Sequence, residues 1–233
     1  MYILALIALL VAYISVIFAM KNMKNTKLIN GFFVCIVAVC YLSVMLTVYL
    51  DVGFADWNFQ NTLPTANVSP VMFCLTIFVL FLPKKARRYC LLLVSLLSVG
   101  MLASAIFGCI YNASIGYKFH FHFLLDYIAH VALSLWGIYL VKTNQVKVEN
   151  KSCIVSMCMI FAYATLMLIL NVIFDTAFFG LSLNGKHNIY NMVITSNSYL
   201  SALLYYAGLF VVLIAGMFLQ KYMSKKPIDN YKN

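Results

Sequence analysis

Long apolar runs that recur along the whole chain restrict its fold more than any other feature. A helix needs roughly 20 apolar residues to cross about 30 Å of hydrocarbon, and most of these runs are near that length. Helices are the expected element, because lipid cannot satisfy an open backbone. The sequence therefore predicts an all-α, polytopic membrane protein, with residues 1–233 as one integral membrane domain. The seven predicted transmembrane helices are Met1–Met20, Leu28–Leu50, Val68–Leu82, Tyr89–Tyr111, Phe121–Val141, Cys153–Phe179 and Tyr199–Gln220.

Composition agrees with a lipid environment and argues against several other classes of protein. The chain is 64 % hydrophobic and 9 % charged, whereas soluble proteins are about 45–50 % apolar and about 25 % charged. The formal charge of +10 is spread over short loops, so we expect no nucleic-acid binding. The seven cysteines contain no CxxC pair, which argues against a zinc ribbon or a disulfide framework. We expect no cofactor, and a bound metal is retained only as one alternative for the polar residues of the fifth helix.

The distribution of lysine and arginine predicts the orientation of the helices. Fourteen of the sixteen basic residues follow the first, third, fifth and seventh runs, and the alternate loops contain only Lys118 and Lys186. Basic residues near helix ends are retained in the cytoplasm. The N-terminus is therefore predicted outside and the C-terminus in the cytoplasm. Since no positive charge precedes the first run, we interpret it as a retained helix and not a cleaved signal peptide.

The fifth predicted helix carries a stripe of polar side chains. His122, Asp126, His130 and Ser134 are each four residues apart, so they share a slowly rotating helical face. Ionisable groups are costly in hydrocarbon, so this face is expected to point into the bundle, with Asp126 orienting the ring of His130. Three interpretations stay open: a structural hydrogen bond, a site for proton transfer, catalysis or ligand binding, and a metal site using His122, Asp126 and His120.

Two other segments supply candidate groups near the predicted outer side. Asn171 and Asp175 are four apart at the end of the sixth helix, where Asn171 is a candidate oxyanion donor and Asp175 is either a substrate contact or a hydrated helix end. Asn67 and Ser69 precede Pro70 at the start of the third helix and are suited to capping it. A nucleophile at Ser69 or Thr65 would require His130 and Asp126 within hydrogen-bonding reach. Cys74 and Cys109 lie at suitable depths, although packing is the commoner role of a cysteine there.

The order of these motifs resembles that of the YwaF-like bacterial membrane proteins, which are related to the eukaryotic transmembrane protein 164 family. The similarity covers roughly the third to seventh helices. It rests on Leu63-Pro64, the Phe-rich approach to Asp126 and His130, Ile138-Tyr139-Leu140, and Asn171 before an outer loop.

The resemblance implies acyl transfer between phospholipids by a cysteine and a histidine. Family members show a Leu-Pro-x-His-x-Cys pattern, and His130 matches their later histidine. The earlier pattern reads Ala66 and Val68 in this chain. The resemblance therefore implies either that Ser69 substitutes for the cysteine or that this chain is an inactive relative that binds lipid or a partner protein.

Two functions remain open from the sequence. One is acyl transfer or hydrolysis on a membrane lipid, with His130 as general base and Asp126 as its orienter. In this hypothesis Ser69 or Thr65 is the nucleophile and Asn171 the oxyanion donor, and the substrate contacts are His122, Asp175 and Asn67. The other is a non-enzymatic component, either a proton-linked small transporter or an accessory subunit. In both cases we expect a multi-pass protein of a bacterial cell membrane whose partners are membrane lipids and a second membrane protein.

Overall fold

Seven α-helices are found in the part of the chain that the structure describes. The structure is a computed structural model that describes residues 1–22, 25–56, 68–114, 116, 118–174 and 197–225. Every regular element within these ranges is helical. The helices are α1 (Tyr2–Ala19), α2 (Thr26–Asp56), α3 (Val68–Phe78), α4 (Lys84–Ser114), α5 (Phe121–Lys142), α6 (Asn150–Phe174) and α7 (Ser198–Ser224).

The helices have the length and composition of membrane spans. All except α3 are long and apolar enough to cross a bilayer. Helix α3 continues as a 3₁₀ turn, and together they run from Val68 to Phe81, or about 21 Å at 1.5 Å per residue. The prediction of an all-α, polytopic membrane protein is confirmed. The orientation of the helices in the membrane stays a prediction.

Several helices extend beyond their apolar runs. Helix α2 continues past Leu50 to Asp56, and α4 begins at Lys84 and not at Tyr89. The predicted end of the sixth helix, Phe179, lies outside the described residues. An apolar run marks only the hydrocarbon layer, because a helix satisfies its own backbone and can continue into the polar interface.

Helices α4 and α5 form the centre of the bundle. In α5 every residue from Ala129 to Val141 is buried. Glycines allow the helices to approach closely: a Cβ added at Gly137 would lie 2.9 Å from the carbonyl oxygen of Val94 in α4. Where α7 crosses α4, a Cβ at Gly216 would lie 1.9 Å from the carbonyl oxygen of Leu96. Small residues at helix crossings are the usual means of close packing in lipid.

Helices α1 and α2 attach to this centre through buried polar contacts. The hydroxyls of Tyr13 in α1 and Ser134 in α5 share a hydrogen bond of 3.1 Å. The indole Nε1 of Trp136 in α5 donates to Oδ1 of Asn30 in α2 at 2.9 Å. Such bonds join helices that the hydrophobic effect does not drive together in lipid. The face of α5 that carries Asp126 and His130 contacts α3.

Candidate active site

The first turn of α3 brings a serine hydroxyl to the ring of His130. Oγ of Ser69 lies 2.8 Å from Nε2 of His130, although 61 residues separate them in the chain. Ser69 is the second residue of α3, ahead of Pro70, and proline is well accommodated in a first helical turn. The hydroxyl is thus engaged with the imidazole and does not occupy the cap position that one interpretation of the sequence gave it.

The contact made by the second ring nitrogen of His130, Nδ1, determines the tautomer of the ring. Nδ1 lies 2.8 Å from the backbone carbonyl oxygen of Asp126. A carbonyl oxygen can only accept a hydrogen bond, so Nδ1 carries the proton. In the neutral imidazole Nε2 is then an acceptor, and the Ser69 hydroxyl donates to it. This is the protonation pattern in which a histidine can remove the proton of a serine hydroxyl.

The carboxylate of Asp126 supports the ring from a longer distance. Its Oδ1 lies 3.5 Å from Nδ1 of His130, and its side chain is 37 % exposed. That distance is longer than an ordinary N–H···O hydrogen bond of about 2.7–3.2 Å. The sequence predicted the Asp126–His130 pair but assigned the orientation of the ring to the carboxylate. The geometry gives the shorter contact to the backbone carbonyl of the same residue.

Aromatic packing holds the imidazole in a largely dry position. His130 is 6 % exposed. The ring of Phe73, one helical turn after Ser69, meets the imidazole edge-on with ring centroids 5.1 Å apart. Because Phe73 is itself buried, it limits the orientations open to His130. The ring is therefore held by two polar contacts and one aromatic contact.

A cleft of about 350 Å³ opens beside the serine. Its walls come from α3, α4 and α7, and Ser69 is part of the lining. Small residues widen the cleft, among them Gly100 and Gly208, while Phe107 at its edge is 69 % exposed. Cavities that bind small molecules are typically about 300–1,000 Å³. The cleft thus gives a ligand space next to the Ser69 hydroxyl, between helices that face lipid.

The remaining predicted residues fall into different surroundings. Asn171 is buried in α6, which packs mainly against α4. His122 stacks on His120 with ring centroids 5.4 Å apart at the start of α5. Asn67, Thr65 and Asp175 lie outside the described residues. The roles given to these six residues stay predictions.

The two cysteines considered as nucleophiles make contacts with tyrosines. Sγ of Cys74 lies 4.0 Å from the hydroxyl of Tyr41 in α2. Cys109 is buried in α4, where its thiol is hydrogen-bonded to the side chain of Tyr127. Tyr41 also packs against Phe73, with ring centroids 5.2 Å apart. Tyr41 therefore belongs to the shell around His130, a position that no spacing in the sequence indicates.

The third interpretation of the polar stripe was a metal site. Within the described part of the chain, no group of three His, Cys, Asp or Glu side chains is placed to hold a metal ion. The two partners of the His130 ring are a hydroxyl and a carbonyl. The metal interpretation of the stripe stays a prediction.

Comparison with known proteins gives the relationship of the whole chain. The model of the TMEM164 family matches residues 1–222. The chain belongs to the TMEM164 family. The match reaches from α1 into α7, beyond the third to seventh helices that carried the resemblance in the sequence. It includes Ser69, Asp126 and His130, which we call the serine–histidine site. No curated protein and no solved structure was found to match this TMEM164-family chain.

Proposed function

We propose that this protein transfers or hydrolyses acyl groups of membrane lipids, with Ser69 as the nucleophile and His130 as the general base. The observation that carries the proposal is the 2.8 Å contact between Oγ of Ser69 and Nε2 of His130, with Nδ1 held on the Asp126 carbonyl. A hydroxyl is a weak nucleophile unless an adjacent base removes its proton. Here the base has the required tautomer and a fixed orientation.

The groups present are sufficient for an acyl-enzyme cycle. Nε2 of His130 takes the hydroxyl proton while Oγ of Ser69 bonds to the ester carbonyl carbon. The ester C–O bond then breaks, and the proton passes from Nε2 to the departing lysolipid oxygen. Reversal of these steps with a second lysolipid completes a transfer, whereas reversal with water completes a hydrolysis. Both reactions conserve the acyl group and need no oxidant or reductant.

The start of α3 favours the negative charge that develops on the carbonyl oxygen. The first backbone N–H groups of a helix have no carbonyl partner within that helix. Ser69 lies in this first turn, so its own N–H is a candidate oxyanion donor, alongside the predicted donor Asn171. The positive end of the α3 dipole acts in the same direction.

The surroundings favour a lipid substrate. The cleft beside Ser69 lies between α4 and α7, and its exposed rim includes Phe107, which suits an acyl chain that enters sideways from the bilayer. Ser69 lies about 18 Å along α3 from Phe81, at 1.5 Å per residue. If Phe81 marks the cytoplasmic boundary, as the basic loop after it predicts, the serine lies in the outer half of the membrane.

The test is an acyl-transfer assay in reconstituted vesicles. Purified protein is mixed with a phospholipid carrying deuterated acyl chains and with an unlabelled lysophospholipid, and mass spectrometry follows the label into new phospholipid and free fatty acid. We expect the Ser69→Ala and His130→Asn variants to transfer the label at least about 10³-fold more slowly than wild type. Ser69→Cys is expected to retain measurable transfer, because a thiol can replace the hydroxyl.

Ser15→Ala is the matched control, because Ser15 is an exposed serine of α1 that does not line the cleft. Its rate is expected to stay within about threefold of wild type, as for most substitutions that remove no catalytic contact. Melting temperatures in detergent show whether each variant is folded. A folded Ser69→Ala protein with near wild-type transfer would refute the proposal. The proposal would also be refuted if the wild-type protein moved no label and Ser69→Ala lowered only the melting temperature. That result is expected if the Ser69–His130 contact is only a structural hydrogen bond between α3 and α5.

A further inference from the structure

A second, larger groove lies on the opposite side of α5 from the serine–histidine site. It has a volume of about 980 Å³, and helices α1, α2 and α5 form its walls. Among the described residues, every side chain that lines it is apolar. The lining residues are Met1, Leu4, Ala5, Ala8, Leu9, Ala12, Val16, Leu28, Ile29, Phe32, Phe33, Ile36, Phe119, Leu124, Ile128, Val131, Ala132 and Leu135.

Helical geometry separates this groove from the site already described. Ile128 and Leu135 contribute to its floor. At 3.6 residues per turn, these side chains point to the face of α5 opposite Asp126. The groove therefore does not belong to the cleft beside Ser69, and an occupant here would not touch His130.

The α1 wall explains why the space exists. Ala5, Ala8 and Ala12 face the groove from successive turns of α1, where larger side chains would fill it. The hydrogen bond between Tyr13 and Ser134 fixes α1 against α5 at its side. The wall is thus held in place while its small side chains keep the space open.

The dimensions of the groove match an acyl chain better than a helix. From Met1 to Val16 the α1 wall extends about 22 Å, and a helix of that length, about 10 Å wide, fills roughly 1,700 Å³. The groove holds about 980 Å³, which is within the range of about 300–1,000 Å³ for small-molecule sites. It is longer than one leaflet of about 15 Å, so an extended acyl chain of ordinary length fits within it.

Charge at one end of the groove selects a headgroup. Lys27 is exposed and directly precedes Leu28, which lines the groove. Lys21 belongs to the 3₁₀ turn Met20–Asn22 that follows α1 at the same end. Between Met1 and Leu50 the sequence contains three lysines and no acidic residue. A lipid phosphate with a net negative headgroup is attracted to such a segment, whereas a zwitterionic one is attracted much less.

We propose that this groove binds the acyl chain of an anionic phospholipid, with the lipid phosphate at Lys27. The bound lipid is a resident of the fold and not a substrate of Ser69, since the two sites lie on opposite faces of α5. The inference is independent of the proposed acyl-transfer activity.

Photo-crosslinking tests the occupant directly. Full-length protein in nanodiscs is incubated with phosphatidylglycerol that carries a diazirine on one acyl chain, irradiated, digested and mapped by mass spectrometry. We expect crosslinks to concentrate on peptides of α1, α2 and α5 that line the groove. Unlabelled phosphatidylglycerol is expected to suppress them at about tenfold lower concentration than phosphatidylcholine, because only the former carries net charge.

Paired variants separate the tail from the headgroup. Ala8→Trp fills the groove and is expected to reduce the groove crosslinks at least about tenfold, whereas Ala162→Trp, at an exposed mid-helix alanine of α6, leaves them unchanged. Lys27→Gln is expected to bring the two competitors within about threefold of each other. Lys151→Gln, at an exposed lysine in the first turn of α6, is expected to keep the preference.

Three results would overturn the proposal. The first is crosslinking spread evenly over the lipid-facing surfaces of all helices. The second is equal competition by phosphatidylcholine and phosphatidylglycerol against the wild-type protein. The third is native mass spectrometry that shows a lipid-free dimer disrupted by Ala8→Trp, because a second copy of the chain would then occupy the groove.

Discussion

Replacing Asp126 by asparagine separates the two supports of the His130 ring. The substitution removes the carboxylate charge 3.5 Å from Nδ1 but keeps the backbone carbonyl at 2.8 Å. At 3.5 Å the attraction between unit charges is about 1.2 kcal/mol at a dielectric constant of about 80 and about 4.7 kcal/mol at about 20. The Asp126 side chain is about one-third exposed, so we expect a loss in the lower half of this range, about 1.5–3 kcal/mol of transition-state stabilisation.

This loss corresponds to a rate about 10- to 150-fold below wild type, at 1.36 kcal/mol per factor of ten. The assay is the labelled acyl transfer in vesicles, with Asp126→Asn and Ser69→Ala measured side by side. We expect the rate of transfer to be highest in wild type, lower in Asp126→Asn and lowest in Ser69→Ala. A loss in Asp126→Asn as complete as in Ser69→Ala would show that the carbonyl does not hold the tautomer. A rate within about threefold of wild type would show that the charge has no part in the reaction.

Two predictions concern the packing of the helices. Gly216→Ala is expected to destabilise the fold by about 1–3 kcal/mol, because the new Cβ would meet the Leu96 carbonyl and force the helices apart. Gly31→Ala is the control, because its Cβ would meet no atom within 4 Å. This variant is expected to keep or raise the melting temperature. Trp136→Phe removes the donor to Asn30 and is expected to lower the free energy of unfolding by about 1 kcal/mol. A double-mutant cycle with Asn30→Ala, measured by unfolding in urea, is expected to give a coupling energy of at least about 0.5 kcal/mol. Equal melting temperatures for the two glycine variants, or a coupling energy near zero, would contradict these expectations.

The helices could be predicted from the sequence because apolar length alone determines which segments cross a bilayer. All seven runs contain helices in the structure. Their ends were less accurate: nothing in the polar residues near Asp56 or Lys84 indicates whether a helix continues into the interface. The apolar pattern reports the thickness of the hydrocarbon, whereas the ends of a helix depend on capping and on the loops.

The candidate site could be predicted only in part. The four-residue spacing placed Asp126 and His130 on one face, and the cost of burying them predicted that they need partners. The contact with Ser69 joins residues 61 positions apart, which no local spacing encodes. The stripe also divides between two neighbours: His130 meets α3, while Ser134, one turn on, meets Tyr13 of α1. A rotation of about 40° per four residues at 3.6 residues per turn accounts for this divergence.

The proposed entry of lipid into the cleft between α4 and α7 has a kinetic consequence. Under this proposal, a substrate reaches Ser69 by diffusion in the plane of the membrane. Its supply is then set by its mole fraction among the surrounding lipids and not by its amount per volume of solution. Diluting the vesicles with buffer should therefore leave the turnover per protein unchanged, whereas diluting the substrate with inert lipid should lower it in proportion.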